Sequence, residues 1–159
     1  MIGWLSNFPV ISVLGRKDSC IRLPNYEINE SEFISCMRQL NLDVPYFFFF
    51  DTFNQMTSKV GCFVEFTDEK ASNLEEMKAK LSKDINQYLM NNNQRYALAN
   101  PNSVNSSMPI NIYFVQTGTF MDWTVYKANS TGVKSTNQIK LPRVAMNDEA
   151  VKFFLSKVK

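Results

Sequence analysis

A run of five aromatic residues, Tyr46–Phe50, places the strongest constraint on the fold of this chain. The run is too short for a stable helix, whereas a continuous apolar stretch of this length is typical of a strand that is buried on both faces. Residues Lys59–Phe66 form a second stretch of the same kind, and Asp51–Ser58 lies between the two. We therefore expect two adjacent buried strands that are joined by a hairpin loop.

Two segments carry the periodicity of amphipathic helices. In Asn29–Leu40 apolar residues recur at intervals of three and four, and Glu32 stands three residues after the first position, as in a capping box. The segment Ser72–Leu89 repeats this arrangement with a longer apolar stripe, and Glu75 completes its capping box. An asparagine run at 91–93 follows, and we expect the second helix to end there.

The remaining elements alternate loosely between strands and helices. We expect strands over Phe8–Leu14, Cys20–Leu23 and Ile110–Val115, a helix that is capped by Thr119 and ends by Gly132, an extended segment over Val133–Val144, and a last helix that is capped by Asn147. Adjacent strands with a short connection argue against a purely parallel sheet. The predicted fold class is therefore α+β: a two-layer sandwich of a mixed, mainly antiparallel sheet packed with helices, in a single domain that spans residues 1–159.

The composition excludes several classes of partner and site. Lys and Arg number 17 and Asp and Glu number 15, and this net charge of +2 favours neither nucleic acid nor an anionic membrane as a partner. Histidine is missing from the sequence, which removes the commonest metal ligand and the usual general base. The three cysteines, Cys20, Cys36 and Cys62, form no CxxC pair, so we expect three buried thiols and no metal site.

Motifs for nucleotide binding and for export are also missing. The sequence has no GxGxxG, GxxxxGK[ST] or GxSxG, and its five glycines are scattered, so we expect no phosphate-cradling loop. The N-terminus lacks the basic region and the cleavage site of a signal peptide. The longest apolar run, Val44–Phe50, is too short to span a bilayer. We therefore expect a cytoplasmic protein that binds no cofactor by itself.

Apart from these missing motifs, the sequence contains four informative segments, which we call strings, in a fixed order along the chain. The first, Leu14–Leu23, contains Gly-Arg-Lys-Asp and leads to the helix start at Glu30. The second is Phe63–Phe66, which precedes the long helix. The third ends in Gly-Thr-Phe at positions 118–120, after a strand. The fourth, Asn137–Arg143, contains Gln-Ile-Lys-Leu-Pro-Arg and precedes the last helix.

Together these strings resemble the C-terminal domain of the auxin-responsive Gretchen Hagen family of acyl acid–amido synthetases, over about Phe8–Val158. The resemblance implies that ATP, with magnesium, and an acyl acid form an acyl-adenylate, from which an amine displaces AMP to give an amide. In this family a large N-terminal domain supplies the nucleotide and acyl pockets, and the small domain rotates between the two half-reactions. The ATP-binding strings of the large domain are missing here. We therefore expect the chain alone to be inactive and its partner to be a large adenylating domain or chain.

The resemblance also assigns roles to four residues. Lys140 is the catalytic candidate, because an ammonium group that is brought to the phosphorus centre would stabilise the negative charge that develops there. Asp18 matches the acidic hinge residue that absorbs the backbone change between conformers. Arg16 and Lys17 match positions that face the nucleotide. The plain alternatives are a loop lysine, a solvated turn aspartate and surface ion pairs.

Arg143 ends the fourth string and has a different expected role. We expect its guanidinium to pair with the carboxylate of Glu65 or with an acidic helix start. Such a pairing would make Arg143 a structural residue.

Two other functions stay open at this point. A non-catalytic interaction or regulatory module, derived from the same domain, is the alternative to a synthetase domain. Both possibilities require an exposed apolar face for docking. An unrelated nucleic-acid binder with the same order of strands and helices is disfavoured by the small net charge.

Overall fold

The structure, a computed structural model, describes residues 3–5, 8–10, 20–40, 46–51, 60–65, 73–103, 109–132, 139, 141, 143–145 and 148–159. The strands are β1 (Gly3–Leu5), β2 (Phe8–Val10), β3 (Cys20–Leu23), β4 (Tyr26–Asn29), β5 (Tyr46–Asp51), β6 (Val60–Glu65), β7 (Asn111–Val115) and β8 (Val144–Ala145). The helices are α1 (Glu30–Gln39), α2 (Leu74–Asn92), α3 (Gln94–Ala99), α4 (Thr119–Thr131) and α5 (Asp148–Leu155).

A four-stranded sheet in the order β7-β6-β5-β8 forms the centre of the described structure. The two strands predicted from their apolar runs pair antiparallel, with Phe48 opposite Phe63. The outer strands pair parallel to their neighbours, β7 to β6 and β8 to β5. Two hairpins, β1-β2 and β3-β4, are antiparallel. The mixed sheet is therefore confirmed, and antiparallel pairing accounts for three of the five strand pairs that the structure describes.

Both faces of the sheet are covered, as the aromatic run predicts. Phe47 and Phe49 lie in a core cluster with side chains of α1 and α2, whereas Phe48 and Phe50 lie in a second cluster with side chains of α4 and α5. This division follows from the two-residue period of a strand. The α+β class and the packing of helices on a mixed sheet are confirmed, and the second helical layer makes the sheet the middle of three layers.

Stacked aromatic rings join the sheet to helices on each side. On one face, Phe33 of α1 stacks on Phe49 with the ring centroids 3.7 Å apart. On the other face, Phe154 of α5 lies 5.0 Å from Phe48 and 5.4 Å from Phe63. These rings are fully buried, and the burial of each phenylalanine contributes about 1.5–3 kcal/mol to folding.

The predicted helix starts are confirmed in part. At α1 the Glu32 carboxylate accepts a hydrogen bond from the Asn29 backbone amide at 2.7 Å, as the capping box predicts. At α2 the N-cap is Asn73, whose side chain donates to Glu76, and Ser72 lies outside the described residues. The asparagine run ends α2, as predicted. Its last member, Asn93, then starts α3, because its side-chain oxygen accepts from the Tyr96 amide at 2.9 Å.

Three elements were not predicted, and parts of others lie outside the described residues. They are the strands β1 and β4 and the helix α3; near β4 only a helix start at Asn29 was expected. Of the predicted strand Phe8–Leu14, the structure describes β2 alone. The hairpin loop, the cap residue Asn147 and most of the segment Val133–Val144 also lie outside the described residues. No helix in the described parts of the chain is long and apolar enough to cross a bilayer.

All three cysteines are buried thiols that form no disulfide, as predicted. Burial raises the pKa of the Cys36 thiol to about 12, and it raises the pKa of the Cys62 thiol as well. The thiolate is the nucleophile in cysteine chemistry, so these two groups are held in their unreactive form.

We predict that Ellman's reagent modifies Cys36 and Cys62 slowly in the native protein near pH 8. A thiol with a pKa of about 12 is ionised in roughly one molecule in ten thousand at that pH. After unfolding in guanidinium chloride all three thiols should react at the rate of a free cysteine. Mass spectrometry of the labelled peptides would locate the modification, and rapid native labelling of either residue would contradict this account.

Candidate functional site

The four residues that the resemblance singles out, Arg16, Lys17, Asp18 and Lys140, lie outside the residues that the structure describes. Some of their neighbours in the chain are described: Ile139 directly precedes Lys140. Cys20 begins β3 two residues after Asp18, and Leu141 directly follows Lys140. The structure therefore describes the chain next to these residues and not the residues themselves.

The segment that follows Lys140 is attached to both faces of the central sheet. Leu141 packs against the cluster that contains Phe48. Arg143 lies on the opposite face, with its guanidinium carbon 4.5 Å from the centre of the Phe47 ring. Its Nη1 donates to the Phe47 carbonyl at 3.4 Å, and its own carbonyl accepts from the Phe49 amide at 2.9 Å.

The electrostatic setting of Arg143 corrects one expectation and supports another. Burial lowers the pKa of Arg143, and the charge of Glu30, at the start of α1, opposes this effect. The charge of this acidic helix start thus acts on the guanidinium, and the expected pairing itself stays a prediction. The other expected partner, Glu65, is wrong: this carboxylate caps a helix elsewhere.

The segments that contain the candidate hinge and the candidate lysine lead into strands that contact each other. Strand β3, which follows Asp18, contacts both β5 and β8. Strand β8 begins four residues after Lys140. Leu23, which ends the first string, and Lys140, in the fourth string, are 117 residues apart in the sequence. The two strings nevertheless lead into the same part of the fold.

Glu65 links the second and third strings. Its carboxylate is only 4% exposed and accepts hydrogen bonds from the backbone amides of Gly118 at 2.8 Å and Phe120 at 3.0 Å. These amides belong to the first turn of α4, where free N–H groups and the helix dipole favour an anion. The Gly-Thr-Phe string and the Phe-Val-Glu-Phe string thus form one helix-capping arrangement.

The expectation that Thr119 caps α4 is wrong by one residue. Gly118 is the N-cap, with φ at +88°, a backbone conformation that glycine adopts without strain. Thr119 is the first helical residue, and its hydroxyl donates to the Gln116 carbonyl at 2.6 Å. The cap comes from Glu65, which is distant in the sequence, and local sequence patterns do not show such a partner.

An open groove of about 200 Å³ among the described residues lies beside the β3-β4 turn, lined by Arg22, Leu23, Pro24, Asn25, Tyr26, Glu27 and Arg95. This volume is below the roughly 300–1,000 Å³ of typical ligand pockets. Arg22 and Glu27 pair loosely across it at 3.8 Å, and both are substantially exposed. Among the residues that the structure describes, no three His, Cys, Asp or Glu side chains are grouped to hold a metal ion.

We predict that Glu65→Gln lowers the free energy of unfolding by about 1–3 kcal/mol, because the amide loses the charge and turns an NH₂ group towards a backbone N–H. Urea denaturation measures this change. The matched control is Glu75→Gln, whose carboxylate is 77% exposed in a surface pair with Lys78, and it should change stability by less than about 0.5 kcal/mol. Equal denaturation midpoints for Glu65→Gln and wild type would contradict the capping role.

Comparisons with known proteins identify the family. The family model described as GH3 family C-terminal domain matches residues 32–149, about three quarters of the chain. The solved structure of GH3.15 acyl acid amido synthetase superposes on 92% of this chain with a TM-score of 0.67 at 18% identity. That of AtGH3.15 acyl acid amido synthetase in complex with 2,4-DB covers the same share with a TM-score of 0.56 at 17% identity.

The likeness to these two solved structures shows the fold. The two solved proteins are longer than this chain. The chain spans 26% of the length of each of the two solved proteins. No curated protein gave a significant match. The family-model match includes the Gly-Thr-Phe string and the Gln-x-Lys-x-Pro-Arg string, which carry the resemblance noted in the sequence. The chain therefore belongs to the GH3 family, and its residues 32–149 correspond to the C-terminal domain of that family.

Proposed function

We propose that this chain acts as the small mobile domain of an acyl acid–amido synthetase. In the reaction a carboxylate oxygen of the acyl acid attacks the α-phosphorus of ATP and pyrophosphate leaves. An amine, usually that of an amino acid, then attacks the acyl carbon and AMP leaves. The observation that carries this proposal is the family match over residues 32–149, which contains the string around Lys140. The two structural relatives, which are acyl acid amido synthetases, support it.

Lys140 is the residue to which we assign the chemistry. The attack on phosphorus concentrates negative charge on the phosphoryl oxygens, and an ammonium group placed there stabilises it without reorganisation of solvent. The attachment of Leu141 and Arg143 to opposite faces of the sheet supports this role, because a rigid base immediately downstream would deliver the ammonium group reproducibly.

Asp18, Arg16 and Lys17 complete the proposed site. Asp18 is the hinge, and its position two residues before β3 suits this role, because a hinge must adjoin the body that it moves. Arg16 and Lys17 would then face the nucleotide from the same segment. A guanidinium binds phosphate or ribose oxygens through two parallel hydrogen bonds.

A large adenylating domain or chain is the proposed partner. The chain spans 26% of the length of each of the two acyl acid amido synthetases, and a partner would supply what the rest of those proteins supplies. We therefore assign ATP, magnesium and the acyl acid to the partner, and we propose that residues 1–159 alone are inactive. Large exposed apolar side chains, which docking requires, lie on the adjoining helices α4 and α5: Met121, Val125, Tyr126 and Leu155.

Three cysteines that form no disulfide suit a reducing compartment, so we place this activity in the cytoplasm. A non-catalytic interaction or regulatory module is the alternative function. That alternative requires the same docking face but no chemistry at Lys140. Amide synthesis in the presence of a large adenylating domain distinguishes the synthetase domain from the interaction module.

We predict no ATP–pyrophosphate exchange by the purified 159-residue chain with any carboxylic acid, because we assign the nucleotide pocket to the partner. Radiolabelled pyrophosphate measures the exchange. Exchange by the chain alone would contradict the assignment of the nucleotide to a partner.

We further predict amide synthesis when this chain replaces the corresponding domain of GH3.15 acyl acid amido synthetase. In that assembly Lys140→Ala should lower the adenylation rate by about 10²–10³-fold, the loss typical for removal of one electrostatic stabiliser. The control is Lys83→Ala, which removes an exposed lysine of α2 and should change nothing. Full activity of Lys140→Ala would refute the assigned role, and an assembly that folds and closes without activity would favour the interaction module.

A further inference from the structure

We propose that the open groove beside the β3-β4 turn binds a free α-amino acid, with Arg22 and Arg95 on the carboxylate of the ligand and Glu27 on its ammonium group. The lining residues named above all belong to the part of the chain that the structure describes. The inference goes beyond the proposed function, because binding in this groove needs neither Lys140 nor a large domain.

Two arginines from distant parts of the sequence meet at this groove. Arg22 lies on β3 and Arg95 on α3, and both side chains are exposed. No carboxylate of the described residues forms an ion pair with Arg95. Arg22 Nε lies 3.8 Å from Glu27 Oε2, and a guanidinium has five N–H donors, so Arg22 can keep this contact and also donate to a ligand. A carboxylate in the groove would therefore meet N–H donors from two elements, in the geometry that guanidinium groups favour.

Helix α3 is fixed to the β3-β4 hairpin on both sides of Arg95. Before it in the chain, the buried Asn93 side chain donates to the Glu27 carbonyl at 2.9 Å. After it, the buried Tyr96 ring meets the Tyr26 ring edge-on, with the centroids 5.1 Å apart. These contacts hold the backbone of Arg95 beside the hairpin before any ligand arrives. A site that is formed in advance loses less conformational entropy on binding.

Charges of both signs line the groove, and they narrow the class of ligand. Glu27 lies directly opposite Arg22 in the strand pairing, and its carboxylate can accept hydrogen bonds from an ammonium group. Leu23, Pro24 and Tyr26 add apolar surface. The volume of about 200 Å³ suits a small molecule. A free α-amino acid has a carboxylate and an ammonium group on one carbon, and an aliphatic side chain suits the apolar surface.

Binding is tested on the 159-residue chain by amide NMR, with L-leucine as the probe. We expect shifts at the amides of Asn25, Glu27 and Arg95, with a Kd on the order of 1 mM because the charges of the groove are exposed to solvent. 4-Methylpentanoate lacks the ammonium group and leucinamide lacks the carboxylate, so each should bind about 3-fold more weakly or worse. Equal affinity for the three probes, or no shift at ~20 mM L-leucine, would overturn the proposal.

Two kinds of variant separate the two ends of the ligand. Arg95→Gln and Arg22→Gln should each weaken both L-leucine and 4-methylpentanoate by about 3-fold or more, since both probes carry the carboxylate. Glu27→Gln should weaken L-leucine alone, because 4-methylpentanoate has no ammonium group and is relieved of a like charge. Arg38→Gln removes an exposed arginine of α1 that does not line the groove, and it is the matched control. An unchanged affinity for L-leucine in Arg95→Gln and Arg22→Gln, or equal losses of both probes in Glu27→Gln, would refute the site.

A carboxylate of a partner protein is another source of the same chemistry. N-acetyl-glycyl-leucine carries a terminal carboxylate without an ammonium group, and it represents such a partner in the same titration. The proposal predicts that this peptide binds more weakly than L-leucine. Tighter binding of the peptide would overturn the amino acid site in favour of a groove for the end of a protein chain.

Discussion

The antiparallel pairing of β5 with β6 is the interaction on which the rest of the structure depends. In this register Phe48 lies opposite Phe63 and Tyr46 lies opposite Glu65. A slip by one residue would exchange the two faces of β5 and separate every phenylalanine from its helix. The register therefore decides that Phe47 is available beneath Arg143 and that the opposite face packs against α4 and α5.

Two long-range side-chain contacts hold the elements of the sheet to their neighbours. Glu65 fixes α4 to the end of β6 through two amide hydrogen bonds, while Arg143 fixes the start of β8 to β5. Asp18 precedes β3 by two residues and Lys140 precedes β8 by four, and these two strands contact each other. Such an arrangement suits a small domain that swings on one segment and presents a cation on another.

The sequence predicts the elements whose signals are local and fails where a partner is distant. The aromatic run of β5, the stripe of α2 and the Glu32 cap of α1 each depend on neighbours within a few residues, and each is confirmed. Strand β4 and helix α3 are short, so their periodicity is too brief to be recognised. The contacts of Glu65 with Phe120 and of Arg143 with Phe47 span 55 and 96 residues. Only the fold brings these pairs together, which is why Glu65 was assigned to the wrong partner.

The most direct test of the account asks whether Lys140 reaches the nucleotide. In the assembly with a large adenylating domain, a lysine-acylating reagent would be applied with and without a non-hydrolysable acyl-adenylate analogue, and labelling of each lysine would be quantified by mass spectrometry. The account predicts that the analogue protects Lys140 and leaves the exposed Lys83 of α2 labelled as before. Equal labelling of Lys140 in both conditions, with the analogue shown to be bound, would contradict it.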